Sequence, residues 1–242
     1  MLYLPPCEEP DPIACDHPKG ADERWSVAEV NLLRSIPKAQ RNIDDRALHK
    51  DEQNIRRALE FGYDYFDGSR DTGYGGYVYD GRWQGVARDI ADHFQLKPGD
   101  RVLDVGCAKG FLVNDLVEIG LEAFGVDVSE YALANAHPGT EHRLFLGTAA
   151  NLPFPDSSFA CVISINTVHN LREDLCVTAL AEIERLAPGK GFVQVDCYRT
   201  PEEEANFRKW VLTAQTHGNP DYWVDIFRRS GYTGDWFWTI AE

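Results

Sequence analysis

The chain has 242 residues, of which 43% are hydrophobic and 26% charged, proportions that suit one globular α/β domain. Its 39 acidic residues against 24 basic ones give a formal net charge of −15, so we expect no nucleic-acid partner, because this charge repels a phosphate polymer. No apolar stretch approaches the ~20 residues that cross a bilayer, so we also expect no membrane insertion.

The first part of the chain, residues 1–84, is predicted to form a cap beside the main fold. Residues 1–24 are rich in proline and acidic side chains, which indicates an extended arm. Residues 25–60 have the apolar spacing of a helix. The stretch Phe61–Trp83 is rich in aromatic residues and glycine, so we expect it to be irregular and to close over a site as a lid. A helix over Arg82–Phe94 leads into the main fold.

The second part, residues 85–242, alternates short apolar strands with amphipathic helices. We expect strands at Arg101–Val105, Glu122–Val126, His142–Leu146, Ala160–Ile165, Phe192–Cys197 and Trp236–Ile240. We expect helices at Phe111–Ile119, Glu130–Ala136, Leu175–Leu186, Glu202–Gln215 and Asp221–Ser230. This alternation predicts a mostly parallel sheet with helices on both faces, followed by C-terminal helices and a late strand.

A ligand site is predicted where the strand Arg101–Val105 ends. Gly106 and Gly110 allow a sharp turn and a close approach of backbone to a ligand. About 20 residues later the next strand ends at Asp127, whose carboxylate can accept hydrogen bonds from both hydroxyls of a ribose. Phe124 or Val128 would then pack beside the base. A dinucleotide fingerprint would instead require glycine where Ala108 and Phe111 stand, which disfavours a nicotinamide cofactor.

Four motifs in order, VLDVGCAKG, GVDVSEYALANA, LPFPDSSFACVIS and ERLAPGKGFVQVD, resemble those of the class I S-adenosylmethionine-dependent methyltransferases over residues 85–200. The resemblance implies a Rossmann-like fold and S-adenosylmethionine as cofactor, with S-adenosylhomocysteine as product. The cofactor-binding residues that it implies are Asp104, Gly106, Cys107, Ala108, Gly110, Asp127 and Val128. The segments YGGYVYDGRW, ISINTVHNL, KWVLTAQ and SGYTGDW further resemble a bacterial group acting in sugar, surface-polysaccharide and other specialised small-molecule pathways.

Two positions depart from the family pattern. Thr148 stands where the family often has an acid that binds the adenine amine, so this contact falls to Thr148 or to the backbone of Ala149 and Ala150. Lys109 replaces a small residue of the glycine turn. We interpret Lys109 either as a solvated residue at the helix start or as a group that reaches a cofactor or substrate carboxylate.

The acceptor site is expected to involve a base and the lid. His169, in the loop after the strand Ala160–Ile165, is a candidate base or acceptor-orienting group, and Asn166 is a candidate cofactor contact. The alternative for His169 is a helix cap or a backbone hydrogen bond. In the lid, Tyr77 or Tyr79 would bind the cofactor carboxylate or the acceptor, and Arg82 would hold an anion, unless it pairs with an acid such as Asp80.

The sequence therefore predicts a methyltransferase that acts on oxygen or nitrogen of a small metabolite, sugar-like or anionic. A non-catalytic cofactor-binding protein and a nicotinamide-dependent oxidoreductase are the alternatives. Six cysteines without a C-x-x-C pair, and no zinc-type spacing, predict reduced thiols, no metal and a cytoplasmic location. The N-terminus also lacks a signal-peptide pattern. We expect a monomer or a homodimer.

Overall fold

A computed structural model describes residues 28–37 and 42–241, and all structural statements below concern these residues. Six parallel strands form one sheet in the order β3-β2-β1-β4-β5-β6. The strands are β1 (Arg101–Val105), β2 (Glu122–Asp127), β3 (Leu144–Leu146), β4 (Cys161–Ile165), β5 (Gly191–Asp196) and β6 (Asp235–Thr239). The predicted parallel α/β fold, Rossmann-like in its layers, is confirmed.

Helices connect the strands and also precede the sheet. Those before the sheet are α1 (Ile43–His49), α2 (Glu52–Leu59), α3 (Tyr63–Phe66) and α4 (Trp83–His93). Those within and after it are α5 (Phe111–Glu118), α6 (Glu130–Ala134), α7 (Glu173–Leu186), α8 (Pro201–Trp210) and α9 (Pro220–Ser230). Short 3₁₀ turns occupy Glu141–Arg143 and Val168–Asn170. In the described residues, no helix combines the length and the apolar character needed to cross a bilayer.

The helix ends follow local chemistry. The hydroxyl of Thr200 and the amide oxygen of Asn219 accept backbone hydrogen bonds at the starts of α8 and α9, and each helix has proline in its first turn. The last turn of α9 ends at Gly231, which adopts a φ of 71°.

The core has two parts, one on each face of the sheet. On one face, Val86 of α4 and Leu116 of α5 pack against strand residues such as Val102. On the other face, Ile183 of α7 and Trp223 of α9 belong to the second part. Helices cover both faces of the sheet, so a ligand would bind at the carboxyl ends of the strands. The turn after β1 and the end of β2 meet at this edge.

The single helical segment predicted over residues 25–60 is wrong in part. Residues 28–30 lie beside β6, where Val30 N donates to Trp236 O, and residues 32–35 form a turn. The helical part consists of two short helices. Asp51, whose backbone is extended, interrupts the helix and caps α2 by accepting a hydrogen bond from Asn54 N at 2.7 Å. The predicted arm, residues 1–24, lies outside the described residues.

Two further predicted bounds were too generous. The helix expected over Glu202–Gln215 ends at Trp210, because Gln215 and Thr216 turn back and donate their backbone N–H groups to His169 O. The strand expected over His142–Leu146 keeps only Leu144–Leu146, and a 3₁₀ turn precedes it. The other strands and helices lie within a few residues of their predicted bounds.

Candidate active site

The turn after β1 is bent tightly against the neighbouring strand. Gly106 has a φ of 85°, and the backbone N–H groups of Gly106 and Cys107 both donate to Val126 O, at 2.7 and 3.2 Å. A methyl group on Gly106 would overlap the side chain of Thr167, in the loop after β4. Glycine is therefore required here both by the left-handed backbone and by the close approach of two loops.

Asp127 links the end of β2 to this turn. One carboxylate oxygen accepts a hydrogen bond from Ala108 N at 2.7 Å, and the other accepts one from Ser129 N at 2.8 Å. Burial raises the pKa of Asp127, although both backbone hydrogen bonds oppose the rise. A carboxylate has about four acceptor positions, so Asp127 retains capacity for the hydroxyls of a ligand.

A cavity of about 340 Å³ lies between this turn and the cap that precedes the sheet. Most of the predicted site residues line it. They are Tyr77, Arg82, Asp104, Gly106, Cys107, Ala108, Asp127, Val128, Ala149 and Asn166. Within the described residues, no group of three or more His, Cys, Asp or Glu side chains is arranged to hold a metal ion.

Three predicted cofactor residues do not line the cavity: Gly110, Thr148 and Ala150. Gly110 instead caps α5 with a φ of 73°, and a methyl group there would come within 2.9 Å of Leu144 Cδ1. Thr148 is exposed, and its hydroxyl oxygen accepts a hydrogen bond from Ala150 N at 3.3 Å. Gly147, which the sequence analysis did not single out, lines the cavity at this place.

Asp104 places a second buried carboxyl group in the cavity wall. Its side chain lies on β1, and the residue is 5% exposed. Burial, with a smaller contribution from the negative charge of Asp127, raises the pKa of Asp104 to about 7. Two carboxyl groups so close together favour a cationic ligand group between the turn and the sheet.

Lys109 differs from both of its predicted roles. It is 7% exposed, and its ammonium lies 2.6 and 2.8 Å from the two carboxylate oxygens of Asp67, in the cap. The ammonium also donates to Tyr77 O at 2.9 Å, while Tyr131 donates its hydroxyl to Asp67. Burial acts to raise the pKa of Asp67, but the bonds from Lys109 and Tyr131 outweigh it and lower this pKa. A buried cation thus fastens the cap to the glycine turn.

The two tyrosines of the predicted lid make different contacts. The ring of Tyr77 stacks on Phe111 at 4.9 Å between centroids and lines the cavity. Tyr79 was the other candidate for a ligand contact, but it does not line the cavity. Its hydroxyl donates to Asp115 at 2.6 Å instead. Arg82 lines the cavity and is paired with Asp80 at 2.6 Å, the alternative given for it above.

His169 is not placed as a base that reaches an acceptor. It is 4% exposed, it is not part of the cavity lining, and its Nδ1 accepts a hydrogen bond from Asp196 N at 2.9 Å. Burial lowers the pKa of His169, although the charge of Asp196 opposes this. A neutral ring with its proton on Nε2 follows, and it fixes the loop after β4 to β5.

Two asparagines of that loop face the cavity. Asn166 adopts a φ of 53°, and its side-chain oxygen accepts a hydrogen bond from the hydroxyl of Thr239 at 2.9 Å. Asn170, which the sequence analysis did not single out, donates to Asn166 O, while its own side-chain oxygen is buried without a partner among the described residues. An unsatisfied acceptor at a cavity wall is a position for a ligand N–H or O–H group.

Known proteins resemble the sheet region of the chain. Residues 103–195 match the methyltransferase domain family. A demethylmenaquinone methyltransferase from Symbiobacterium thermophilum is 33% identical over 47% of this chain and 49% of its own length. A sterol 24-C-methyltransferase from Gibberella zeae is 34% identical over 33% of this chain and 23% of its own. The matches thus span half or less of these relatives.

A solved structure supports the fold alone. The [4+2]-cyclase SpnF superposes with a TM-score of 0.51 at 18% sequence identity, covering 81% of this chain and 74% of that one. At this identity the likeness concerns the arrangement of strands and helices, and activity has to be argued from the site.

Proposed function

We propose that this chain, which matches the methyltransferase domain family over residues 103–195 and has the sheet order of a Rossmann-like fold, is a class I S-adenosylmethionine-dependent methyltransferase that methylates oxygen or nitrogen of a small metabolite. The observation that carries the proposal is the pairing of Asp127 with Ala108 N at the cavity. This contact joins a ribose-binding carboxylate to a glycine turn open to backbone contact, which is the combination that an adenosyl amino acid requires.

The residues of the cavity fit the cofactor. Asp127 would accept the ribose hydroxyls, Val128 would pack on adenine, and the turn at Gly106 would lie against the amino-acid part. The buried carboxyl of Asp104 would face the positively charged end of the same ligand. Gly110, Thr148 and Ala150 would act by shaping the turn and the loop after β3, since they do not line the cavity.

S-adenosylmethionine, when bound, would supply a methyl group from its sulfonium. The leaving group is then a neutral thioether, which needs no acid. The chain's own residues would bind and orient the acceptor and exclude water. Tyr77 and Arg82 would do so from the cap, while Asn166 would contact the cofactor from the loop after β4. His169 would act as a positioning residue that holds this loop.

Further parts of the proposal concern the whole protein. We keep a small acceptor, sugar-like or anionic, rather than nucleic acid, in line with the charge of −15. The four cysteines in the described part of the chain are free and buried, which supports a reducing, cytoplasmic location. The division into a cap (1–84) and a cofactor-binding core (85–242), and a monomeric or homodimeric state, stay predictions.

The experiment is calorimetric titration of the full chain with S-adenosylhomocysteine, followed by transfer of a labelled methyl group to a panel of small acceptors. D127N should weaken binding by tenfold or more. E118Q changes the same charge at an exposed position at the end of α5 and should leave binding unchanged. Melting temperatures without ligand show whether each variant is folded.

The outcomes separate the candidate functions. Binding with transfer to one acceptor supports the proposal. Binding without transfer to any acceptor favours a non-catalytic cofactor-binding protein. If S-adenosylhomocysteine does not bind the wild-type chain, while a nicotinamide dinucleotide raises its melting temperature, the proposal is overturned in favour of an oxidoreductase.

A further inference from the structure

Two arginines of the cap lie near each other, and one of them lines the cavity. Arg70 lines the cavity and donates from Nη1 to Tyr74 O at 2.9 Å. Arg46 of α1 donates from Nη2 to Gly73 O at 3.3 Å, and its guanidinium lies 4.5 Å above the ring of Trp210. Neighbouring carbonyls of one loop therefore orient both guanidinium groups.

The positive charge of this pair is incompletely balanced. Arg46 Nη1 is buried and has no hydrogen-bond partner among the described residues. Burial lowers the pKa of Arg46 and the adjacent charge of Arg70 lowers it further, while Asp71 opposes both. No ion pair links Arg70 to any carboxylate in residues 28–37 or 42–241. An arginine pair whose charge is not fully balanced is unusual in a chain with a net charge of −15. We interpret it as a binding position for an anionic ligand.

The two arginines lie away from the part of the cavity that is assigned to the cofactor. The groups assigned to the cofactor, Asp127 and the turn at Gly106, belong to the ends of β2 and β1. Trp210, which Arg46 covers, ends α8, and the chain after it donates two N–H groups to His169 O in the loop after β4. This places the arginines beside the β4 and β5 side of the sheet edge.

The cavity wall next to Arg70 is largely aromatic. Phe61, Tyr65 and Phe66 of the cap line it, and the ring of Tyr65 contacts each of the other two at 5.1 Å between centroids. Such a wall suits a flat apolar body, whereas a guanidinium suits a carboxylate or phosphate, with which it forms paired hydrogen bonds.

Resting on the proposed methyl transfer, we propose that Arg70, supported by Arg46, binds an anionic group of the acceptor. The acceptor class is then a small planar acid whose anion is held at the cap while its hydroxyl or amine points toward the loop after β4. Arg82, which also lines the cavity, is less suited to hold this anion, because Asp80 already neutralises its charge.

The test uses benzoate and its neutral counterpart benzamide as probes, titrated into the full chain with and without saturating S-adenosylhomocysteine. Wild type should bind benzoate at least tenfold more tightly than benzamide. R70Q should lose this preference. R88Q, which removes an exposed arginine of α4, should keep it.

A second arm distinguishes the acceptor's anion from the carboxylate of the cofactor. The affinities for S-adenosylhomocysteine and for 5′-methylthioadenosine, which lacks the amino-acid part, are compared in wild type and R70Q. An unchanged ratio supports the proposal. It is overturned if R70Q abolishes the advantage of S-adenosylhomocysteine, or if wild type at millimolar probe binds benzoate no better than benzamide. Failure to bind S-adenosylhomocysteine would overturn the proposed function instead, and the titrations without it still test Arg70.

Discussion

Lys109 reaches out of the glycine turn to Asp67, and its ammonium lies 2.6 Å from the nearer carboxylate oxygen. Their side chains are only 9% and 23% exposed, so both charges have lost much of their hydration. Each of the two residues follows directly on one that lines the cavity, Phe66 in the cap and Ala108 in the glycine turn. Their contact therefore ties the position of the cap to that of the turn that would hold the cofactor.

K109M should destabilise the protein by about 3 kcal/mol, because it leaves the partly buried Asp67 carboxylate without its cation. D67N should have an effect of similar size. The double variant should lose clearly less than the sum of the two, with a coupling of about 1–3 kcal/mol. Urea unfolding measures all three.

K97M, which alters an exposed lysine before β1, is the matched control and should stay within about 0.5 kcal/mol of wild type. Additive losses in the double variant would mean that Lys109 and Asp67 stabilise the protein independently, and that the cap is fastened elsewhere.

The sequence was enough to bring together the residues at the ends of β1 and β2, but it did not pair the cap with the glycine turn, for a physical reason. Asp127 and Gly106 end neighbouring parallel strands, so spacing along the chain was enough to bring them together. Asp67 and Lys109 are 42 residues apart, in segments without periodicity, and no local pattern pairs them. Asn170 was missed because its unsatisfied oxygen exists only after the loop folds.

G106A should destabilise the protein more than a matched glycine variant. Gly99 has a φ of 87°, like the 85° of Gly106, but a methyl group there would meet open space. G99A therefore measures the backbone strain alone, about 1–2 kcal/mol. G106A adds the overlap with Thr167, a further 1–3 kcal/mol, and should also reduce S-adenosylhomocysteine binding.

Denaturant unfolding and titration of both glycine variants give the comparison. Equal losses of stability in G106A and G99A would show that Thr167 moves aside at little cost. The turn would then be less constrained by the loop after β4 than its geometry indicates.

His169 should take up a proton at lower pH in the folded protein than in the unfolded chain. Burial lowers its pKa, whereas in the unfolded chain the value is about 6.5. The unfolded state then binds more protons, so the stability that depends on His169 falls as the pH falls below about 6.5. Nitrogen chemical shifts of the imidazole should show the Nε2–H form, because Nδ1 accepts from Asp196 N.

Comparison of unfolding free energies at pH 7 and pH 5 tests the same point. H169N should show a smaller loss on acidification than wild type, while H142N, at an exposed site, should follow wild type. A folded-state pKa of His169 that is not lower than that of the unfolded chain would contradict the assignment as a neutral positioning residue.

D104N should stabilise the protein increasingly as the pH rises from 5 to 8. The pKa of Asp104 is about 7 when folded and about 3.9 when unfolded, so the folded state binds more protons in between. Ionisation of the buried carboxyl therefore destabilises wild type by at most about 4 kcal/mol. This loss builds up as the pH rises from about 4 and reaches its full size above pH 7. D92N, on the exposed side of α4, should show no such trend.

The same carboxyl links pH to cofactor binding. The amino group of S-adenosylhomocysteine is cationic, and a cation beside Asp104 favours its ionised form, so the affinity of wild type should rise between pH 6 and pH 8. D104N should remove most of this rise, measured by calorimetry at both pH values. If wild type and D104N show the same pH dependence, Asp104 does not face the charged end of the ligand, and the orientation proposed for the cofactor is wrong.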